Sequence, residues 1–296
     1  MNISGLLSNS DFKEKHILQK LIMEYTKCSR EQMRTNWDQE ISQETYDKII
    51  RGYKLATEEQ MPLDYVLGYV KFFGNEFIVN ENTLVPRPET EYMVQAVTEH
   101  IQYSNSSNPS NLSNPSNNLI LMDIGTGCWV LWTSVLLQNP EQISTVFFTD
   151  ISDKALLVAK QNSDRHLQWF RQEMIFVWTD LLAFADNYKE VWQDKPIVLV
   201  ANLPYIPEKM FDQNSPENVQ KREPRLAFVW GEDWLIYYRQ MLDQMPEAMK
   251  KTVVCFFEMM TRQVDILAKE YQKDRHFQEV KTFHFNIRIV KATYNR

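Results

Sequence analysis

Ile197-Val198-Leu199-Val200-Ala201, followed at once by Asn202-Leu203-Pro204-Tyr205, is the stretch whose reading decides the fold. A short apolar run rich in β-branched residues, with no polar alternation, reads as a strand buried on both faces of a parallel sheet. Ligands of such sheets bind beyond the carboxyl ends of the strands, so the tetrapeptide sits where chemistry would take place. Its residue types suit one task, holding a planar NH2 group. The Asn202 side-chain oxygen and the Leu203 backbone carbonyl can each accept one N–H. Pro204 stiffens the loop, and Tyr205 offers a flat face to stack on. An ordinary strand-to-loop turn uses the same Asn and Pro, and a core aromatic is the competing reading of Tyr205.

Working outward, strands and helices alternate from Leu119 onward. The pattern places strands at 119–123, 145–149, 174–178, 197–201, 252–257 and near 284–292. Helices are expected from about 129, from 153, around 234–248 and at 261–271. That alternation predicts an α/β domain with a mainly parallel, Rossmann-like sheet over 86–296. Residues 1–60 show helical spacing instead, at Ile17, Leu18, Leu21, Ile22 and Tyr25, then Tyr46, Ile49, Ile50 and Tyr53, and read as a small helical domain. Between them, 61–85 reads as a β-hairpin linker, with strands through Tyr65–Phe73 and Phe77–Val79 around a Gly74-Asn75 turn. Pro86-Arg87-Pro88-Glu89-Thr90 then opens a helix to about residue 102. The Ser/Asn/Pro stretch 103–118 is low-complexity, carries little apolar surface and is expected to be a mobile surface loop.

Composition narrows the function classes. Charged residues make up 24% and hydrophobic residues 44% of 296, the balance of a soluble globular chain with a sizeable core. A net charge of −7 disfavours broad, sequence-independent nucleic-acid binding, which needs a basic footprint. Cys28, Cys128 and Cys255 are too few and too far apart for a disulfide framework or a zinc site, and the five His form no ligand pair. No apolar run approaches a membrane span, and the first residues lack a signal core. A cytoplasmic protein without membrane or metal is expected.

The first strand of the α/β domain ends in Asp123 and runs into Ile124-Gly125-Thr126-Gly127-Cys128. A glycine turn at this place lets the backbone approach a cofactor closely. The next strand ends in Asp150, where a carboxylate can accept both ribose hydroxyls of an adenosine-bearing cofactor. Turn, acid and Asn202 loop, in that order, fit S-adenosyl-L-methionine with an amine acceptor. Asp180 and Leu181, after the strand 174–178, would lie near the adenine; for Asp180 alone a helix N-cap is the plainer expectation.

Pro86-Arg87-Pro88-Glu89-Thr90-Glu91, Asp123-Ile124-Gly125-Thr126-Gly127, Asp150-Ile151-Ser152, Asn202-Leu203-Pro204-Tyr205 and Glu223-Pro224-Arg225-Leu226-Ala227 together resemble the HemK/PrmC-type release-factor glutamine methyltransferases. The resemblance runs from about residue 60 to the end. It implies a methyltransferase domain that uses S-adenosyl-L-methionine to methylate the glutamine of the Gly-Gly-Gln loop in peptide chain release factors. It further implies that the helical first domain recognises the release factor. Arg87 and Glu89 cover the cofactor, tie the linker to the catalytic domain, or form a structural ion pair. Glu223 and Arg225 are expected to fix the loop after the clamp, and Glu258 to support the sheet rather than react. The rivals are an adenine-N6 methyltransferase acting on RNA or DNA, since the Asn-Leu-Pro-Tyr loop is shared with such enzymes, and an inactive scaffold of the same fold.

Three departures stand out. The family loop is usually Asn-Pro-Pro-Tyr, where this chain has Leu203, but a backbone carbonyl survives that change. The family's glycine turn continues with Gly, where this chain has Trp129. Its Gly-Gly-Glu-Asp-Gly segment corresponds here to Trp230-Gly231-Glu232-Asp233-Trp234. The chain holds 8 Trp against 7 Gly, whereas glycine is usually about 7% of residues. A single cause would account for Trp129, Trp132, Trp230 and Trp234: UGA codons translated here as Trp but read as Gly in the source organism. The alternative is genuine Trp that fills the site, with Trp129 lying against the cofactor.

Overall fold

The structure, a computed structural model, describes residues 2–35, 38–106, 118–139, 141–229, 233, 235–250, 252–273, 277–284 and 288–294. Two compact units divide the chain, one of residues 1–68 with 216–222, the other of 69–215 with 223–296.

The first unit is helical: α1 (Ile3–Ser8), α2 (Lys15–Thr26), α3 (Arg30–Thr35), α4 (Gln43–Thr57) and α5 (Leu63–Leu67). Amphipathic spacing explains its core. Leu18, Leu21 and Ile22 of α2 and Ile49 and Tyr53 of α4 are buried together with Ile3 and Leu6. Ser42 caps α4 by accepting from the Thr45 N–H at 3.1 Å. Tyr65-Val66-Leu67, expected in a strand, is the end of α5. Gly68 at φ +78° closes that helix in the left-handed conformation, a helix stop and not a strand signal.

The second unit begins with the hairpin β1 (Tyr69–Phe72) and β2 (Asn75–Ile78). Its turn is Phe73-Gly74 and not Gly74-Asn75: both turn residues have positive φ, 47° and 78°, as the twist of a two-residue hairpin loop requires. The helix expected to open at Pro86 is held back to α6 (Glu91–Ser106) by a 3-10 turn at Pro88–Thr90. Of the low-complexity stretch, Tyr103–Ser106 belongs to this helix and 107–117 lie outside the described residues.

The remaining elements are β3 (Leu119–Ile124), α7 (Val130–Leu136), β4 (Ile143–Asp150), α8 (Asp153–His166), β5 (Glu173–Trp178), α9 (Lys189–Trp192), β6 (Ile197–Ala201), α10 (Glu208–Asn214), α11 (Glu217–Arg222, in the first unit), α12 (Ile236–Asp243), α13 (Glu247–Lys250), β7 (Val253–Met259), α14 (Thr261–Lys273), β8 (Phe277–His284) and β9 (Arg288–Tyr294). Among the described residues, seven strands form one sheet in the order β5-β4-β3-β6-β7-β9-β8. Its first five strands are parallel, and β9 and β8 are antiparallel additions. The single strand expected near 284–292 is therefore a pair. All five residues of β6 are buried, as a central parallel strand demands. Tyr238 and Met241 of α12 pack on the sheet among Leu199 and Phe257, and each such buried side chain contributes about 1.5–3 kcal/mol. The order reverses direction between β3 and β6, the place where open sheets of this kind leave a crevice.

Candidate active site

A cavity opens at that crevice. Four strand ends wall it: Asp123–Cys128 at the end of β3, Thr149–Ser152 at the end of β4, Thr179–Leu181 after β5, and Asn202–Pro204 after β6. Parts of 82–90 and Pro224, Leu226 and Ala227 complete the wall. Of the residues singled out from sequence, Asp123, Ile124, Gly125, Thr126, Gly127, Asp150, Asp180, Leu181, Asn202, Leu203 and Pro204 all line it.

The glycine turn is held by its own polar groups. Gly125 and Gly127 have φ of +74° and +54°, a region that L side chains avoid. A Cβ on Gly125 would also stand 3.0 Å from Leu203 Cδ2, so this glycine lets the turn and the Asn202 loop approach each other. The Thr126 hydroxyl donates to Asp123 Oδ2 at 2.6 Å. Burial pushes the Asp123 carboxyl up to about 7, against the pull of that hydroxyl. Asp150 accepts from the Gly127 N–H at 2.9 Å through Oδ2 and from the Ser152 N–H at 2.9 Å through Oδ1. Burial raises its carboxyl above the ordinary range, and these N–H groups oppose the rise. The acid, which also accepts from the Ile151 N–H, thus ties the glycine turn to the start of α8. A ribose diol beside a glycine turn needs acceptors of this kind, and these carboxylate oxygens fit an adenosine-bearing cofactor.

Asp180 does not cap a helix. Its carbonyl accepts from the Ala183 N–H at 3.1 Å, and the 3-10 turn at Ala185–Tyr188 starts from Phe184. Local turn geometry leaves the carboxylate exposed on the cavity wall.

Trp129 is placed differently from the expectation that it lies against the cofactor. Its neighbours Cys128 and Val130 line the cavity, and Trp129 does not. The indole turns into the core and meets the Phe148 ring edge-on, centroids 4.8 Å apart. The backbone at Trp129 keeps φ +73°, the conformation a glycine would take. The indole nitrogens of Trp129 and Trp132 are both buried without a hydrogen-bond partner among the described residues. Trp230 and Trp234, with Gly231 and Glu232, lie outside the described residues.

The Asn202 loop is anchored from behind. Asn202 Nδ2 donates to Glu258 Oε1 at 3.0 Å. The Leu203 N–H donates to Tyr238 Oη at 3.3 Å, and the Tyr238 hydroxyl donates to the Glu258 carbonyl at 2.7 Å. The Tyr205 carbonyl accepts from Gln263 Nε2 at 2.9 Å. Tyr205 is half-buried and is not part of the cavity wall, and burial pushes its hydroxyl far above the usual range.

Of the roles open to Arg87, the structure shows the structural ion pair, with Glu223 as its partner. Arg87 lines the cavity and donates to Glu223 Oε1 at 2.8 Å. Glu223 Oε2 accepts from the Val85 N–H at 3.1 Å, so two motifs 136 positions apart in the chain become one wall. Arg225 pairs with Glu208 and Asp212 of α10 and fixes the segment after the Asn202 loop. The contact of Glu258 with Asn202 was missed. A lone acid at the end of an apolar strand was the available signal, and its partners are distant in sequence.

No family model matches the chain. A release factor glutamine methyltransferase from Bacillus cereus is 32% identical to it over 233 residues, covering 79% of this chain and 75% of that protein. One from Flavobacterium psychrophilum is 30% identical over 246 residues, covering 81% and 78%. Among solved structures, the N-terminal domain of human METTL16 in complex with SAH superposes with a TM-score of 0.54 at 13% identity, covering 98% of both chains. That likeness speaks for the fold alone, a Rossmann-like methyltransferase fold. Among the described residues no helix is long and apolar enough to cross a membrane. By its identity to these bacterial relatives over three quarters of their length, the chain belongs to the release factor glutamine methyltransferase family.

Proposed function

We propose that this protein transfers a methyl group from S-adenosyl-L-methionine to the side-chain amide nitrogen of the glutamine in the Gly-Gly-Gln loop of a peptide chain release factor. One observation carries the reading. The glycine turn with Asp150 and the Asn202-Leu203-Pro204 segment wall a single cavity, which supports a cofactor and an acceptor amide meeting there.

S-adenosyl-L-methionine, when bound, supplies an electrophilic methyl group on a sulfonium sulfur. The residues of the chain do the rest. Asp150 accepts the ribose hydroxyls, and Gly125 and Gly127 let the backbone come close. An amide nitrogen is a weak nucleophile because its lone pair is delocalised, so placing it matters more than activating it. Asn202 Oδ1 and the Leu203 carbonyl accept its two N–H groups and aim the nitrogen, while Pro204 keeps the loop stiff. Holding both groups in one geometry can supply several kcal/mol of barrier reduction, about 7–11 at the upper end. No strong general base is required, since the proton leaves during or after transfer.

The first, helical unit recognises the release factor, and the protein works in the cytoplasm with it. The compactness of that unit and the acidic balance of the chain, net charge −7, support a protein substrate over a nucleic acid. The test is transfer of labelled methyl to a release factor and to the same factor with Glu in place of the acceptor Gln. Label in the first and not the second is expected. Asn202→Ala should abolish transfer while the fold and cofactor binding persist. Full activity in that variant, or label appearing in RNA instead, would overturn the proposal.

A further inference from the structure

We infer that Glu258 is a positioning residue for methyl transfer: by accepting a hydrogen bond from the Asn202 side-chain NH2, it fixes that amide with Oδ1 toward the cavity. The inference rests on the reading of the Asn202 loop as the acceptor clamp and names what sets the clamp.

An Asn side chain has two nearly isosteric orientations, and they exchange an acceptor for a donor. Only one serves a clamp that must receive N–H groups. With Nδ2 toward the cavity, the loop would present a donor to an incoming NH2 and repel it. The choice is made on the far side of Asn202. Glu258 Oε1 lies 3.0 Å from Asn202 Nδ2, and an ionised carboxylate can only accept. Reversing the amide would set two acceptor oxygens against each other at that distance.

Glu258 is itself held in place. It is the penultimate residue of β7, its side chain is buried, and the Thr90 hydroxyl donates to the same Oε1 at 3.2 Å. Thr90 ends the Pro88–Thr90 turn and itself lines the cavity. One oxygen therefore collects two donors, from two motifs 112 residues apart. Oε2 is buried with no hydrogen-bond partner among the described residues. A purely structural acid would satisfy both oxygens; this one is committed through a single oxygen to Asn202 and Thr90.

Burial pushes the Glu258 carboxyl up to about 7, so three proteins test the inference at a pH well above 7, where it is ionised: the parent, Glu258→Asp and Glu258→Gln. Asp keeps charge and burial but draws the carboxylate back by about 1.5 Å, one carbon–carbon bond, and breaks the contact. Gln keeps an acceptor at the Oε1 position and places its NH2 where Oε2 had no partner. Glu258→Asp should lose about 10- to 100-fold in kcat, as expected for misplacement on the order of 1 Å. Its KM for the release factor and its affinity for S-adenosylhomocysteine should stay within about twofold of the parent, since the lost contact acts on the bound acceptor. Glu258→Gln should recover most of kcat.

A second readout needs no turnover. The Asn202 Nδ2 protons, identified by their loss in Asn202→Ala, should exchange with solvent at least about tenfold faster in Glu258→Asp than in the parent, and near the parent rate in Glu258→Gln. Loss in Asp with recovery in Gln, in both readouts, upholds the inference. Unchanged kcat in Asp, equal losses in Asp and Gln, or unchanged exchange overturns it. Failure of the parent to methylate any release factor would sink the proposed function, and the exchange readout would still test the contact.

Discussion

Replacing Trp129 by Gly should cost far less stability than its burial suggests. Truncating a fully buried Trp ordinarily costs about 3–5 kcal/mol, and Trp129 is fully buried against Phe148. Two features work against it. Its backbone sits at φ +73°, a conformation that costs an L residue about 1–2 kcal/mol. Its indole N–H is buried with no partner among the described residues, which costs about 1–3 kcal/mol. The offsets sum to about 2–5 kcal/mol, comparable with the packing that is lost. Trp129→Gly should therefore unfold in urea within about 2 kcal/mol of the parent. Trp192 is the control: equally buried, but with its indole N–H donating to the Ala185 carbonyl at 2.8 Å. Trp192→Ala should bear the full cost of about 3–5 kcal/mol. At position 129, Gly should also be more stable than Ala by about 1 kcal/mol, because only Gly relieves the backbone. Equal stability of the two would refute the backbone part of the reasoning. A loss in Trp129→Gly as large as in Trp192→Ala would refute the whole. The gene offers an independent check: UGA codons at 129, 132, 230 and 234 would mean that glycine stands there in the organism, and UGG would end that reading.

Two further outcomes follow from single residues. Gly125→Ala combines φ +74° with a 3.0 Å approach to Leu203; cofactor affinity by calorimetry should fall at least about tenfold, or about 1.4 kcal/mol, and unchanged affinity would show that the turn and the Asn202 loop do not constrain each other. Asp123, raised to about 7 by burial, keeps in the folded chain a proton that the unfolded chain releases above about pH 4. Its contribution to stability is therefore full below about pH 4 and is lost as the pH rises through about 7. Asp123→Asn keeps an acceptor for Thr126 and removes that decline, so its urea midpoint relative to the parent should improve from pH 4 to pH 8; a constant difference would contradict the assignment.

The sheet was readable because its signal is local. Ile197–Ala201 is apolar without alternation, and a strand of that kind has one stable place, the middle of a parallel sheet. The hairpin misread has an equally local cause. Gly68 and Gly74 both punctuate the chain, and nothing in the neighbouring residues says that the first ends a helix while the second turns a hairpin. The antiparallel pair at the C-terminus was blurred into one strand because its register depends on β7, which pairs with β9 across the sheet.

By itself the sequence determined the alternating α/β order, the glycine turn, the strand-ending acid and the identity of the Asn202 loop, since each is a property of a few consecutive residues. Only the tertiary structure decided what those residues touch. It turned Trp129 away from the cavity, joined Arg87 to Glu223, and set Glu258 behind Asn202. The reason is physical. Periodicity and turn chemistry act over one to seven residues, whereas a buried carboxylate takes whatever donors the folded sheet brings within about 3 Å, here from Thr90 and Asn202.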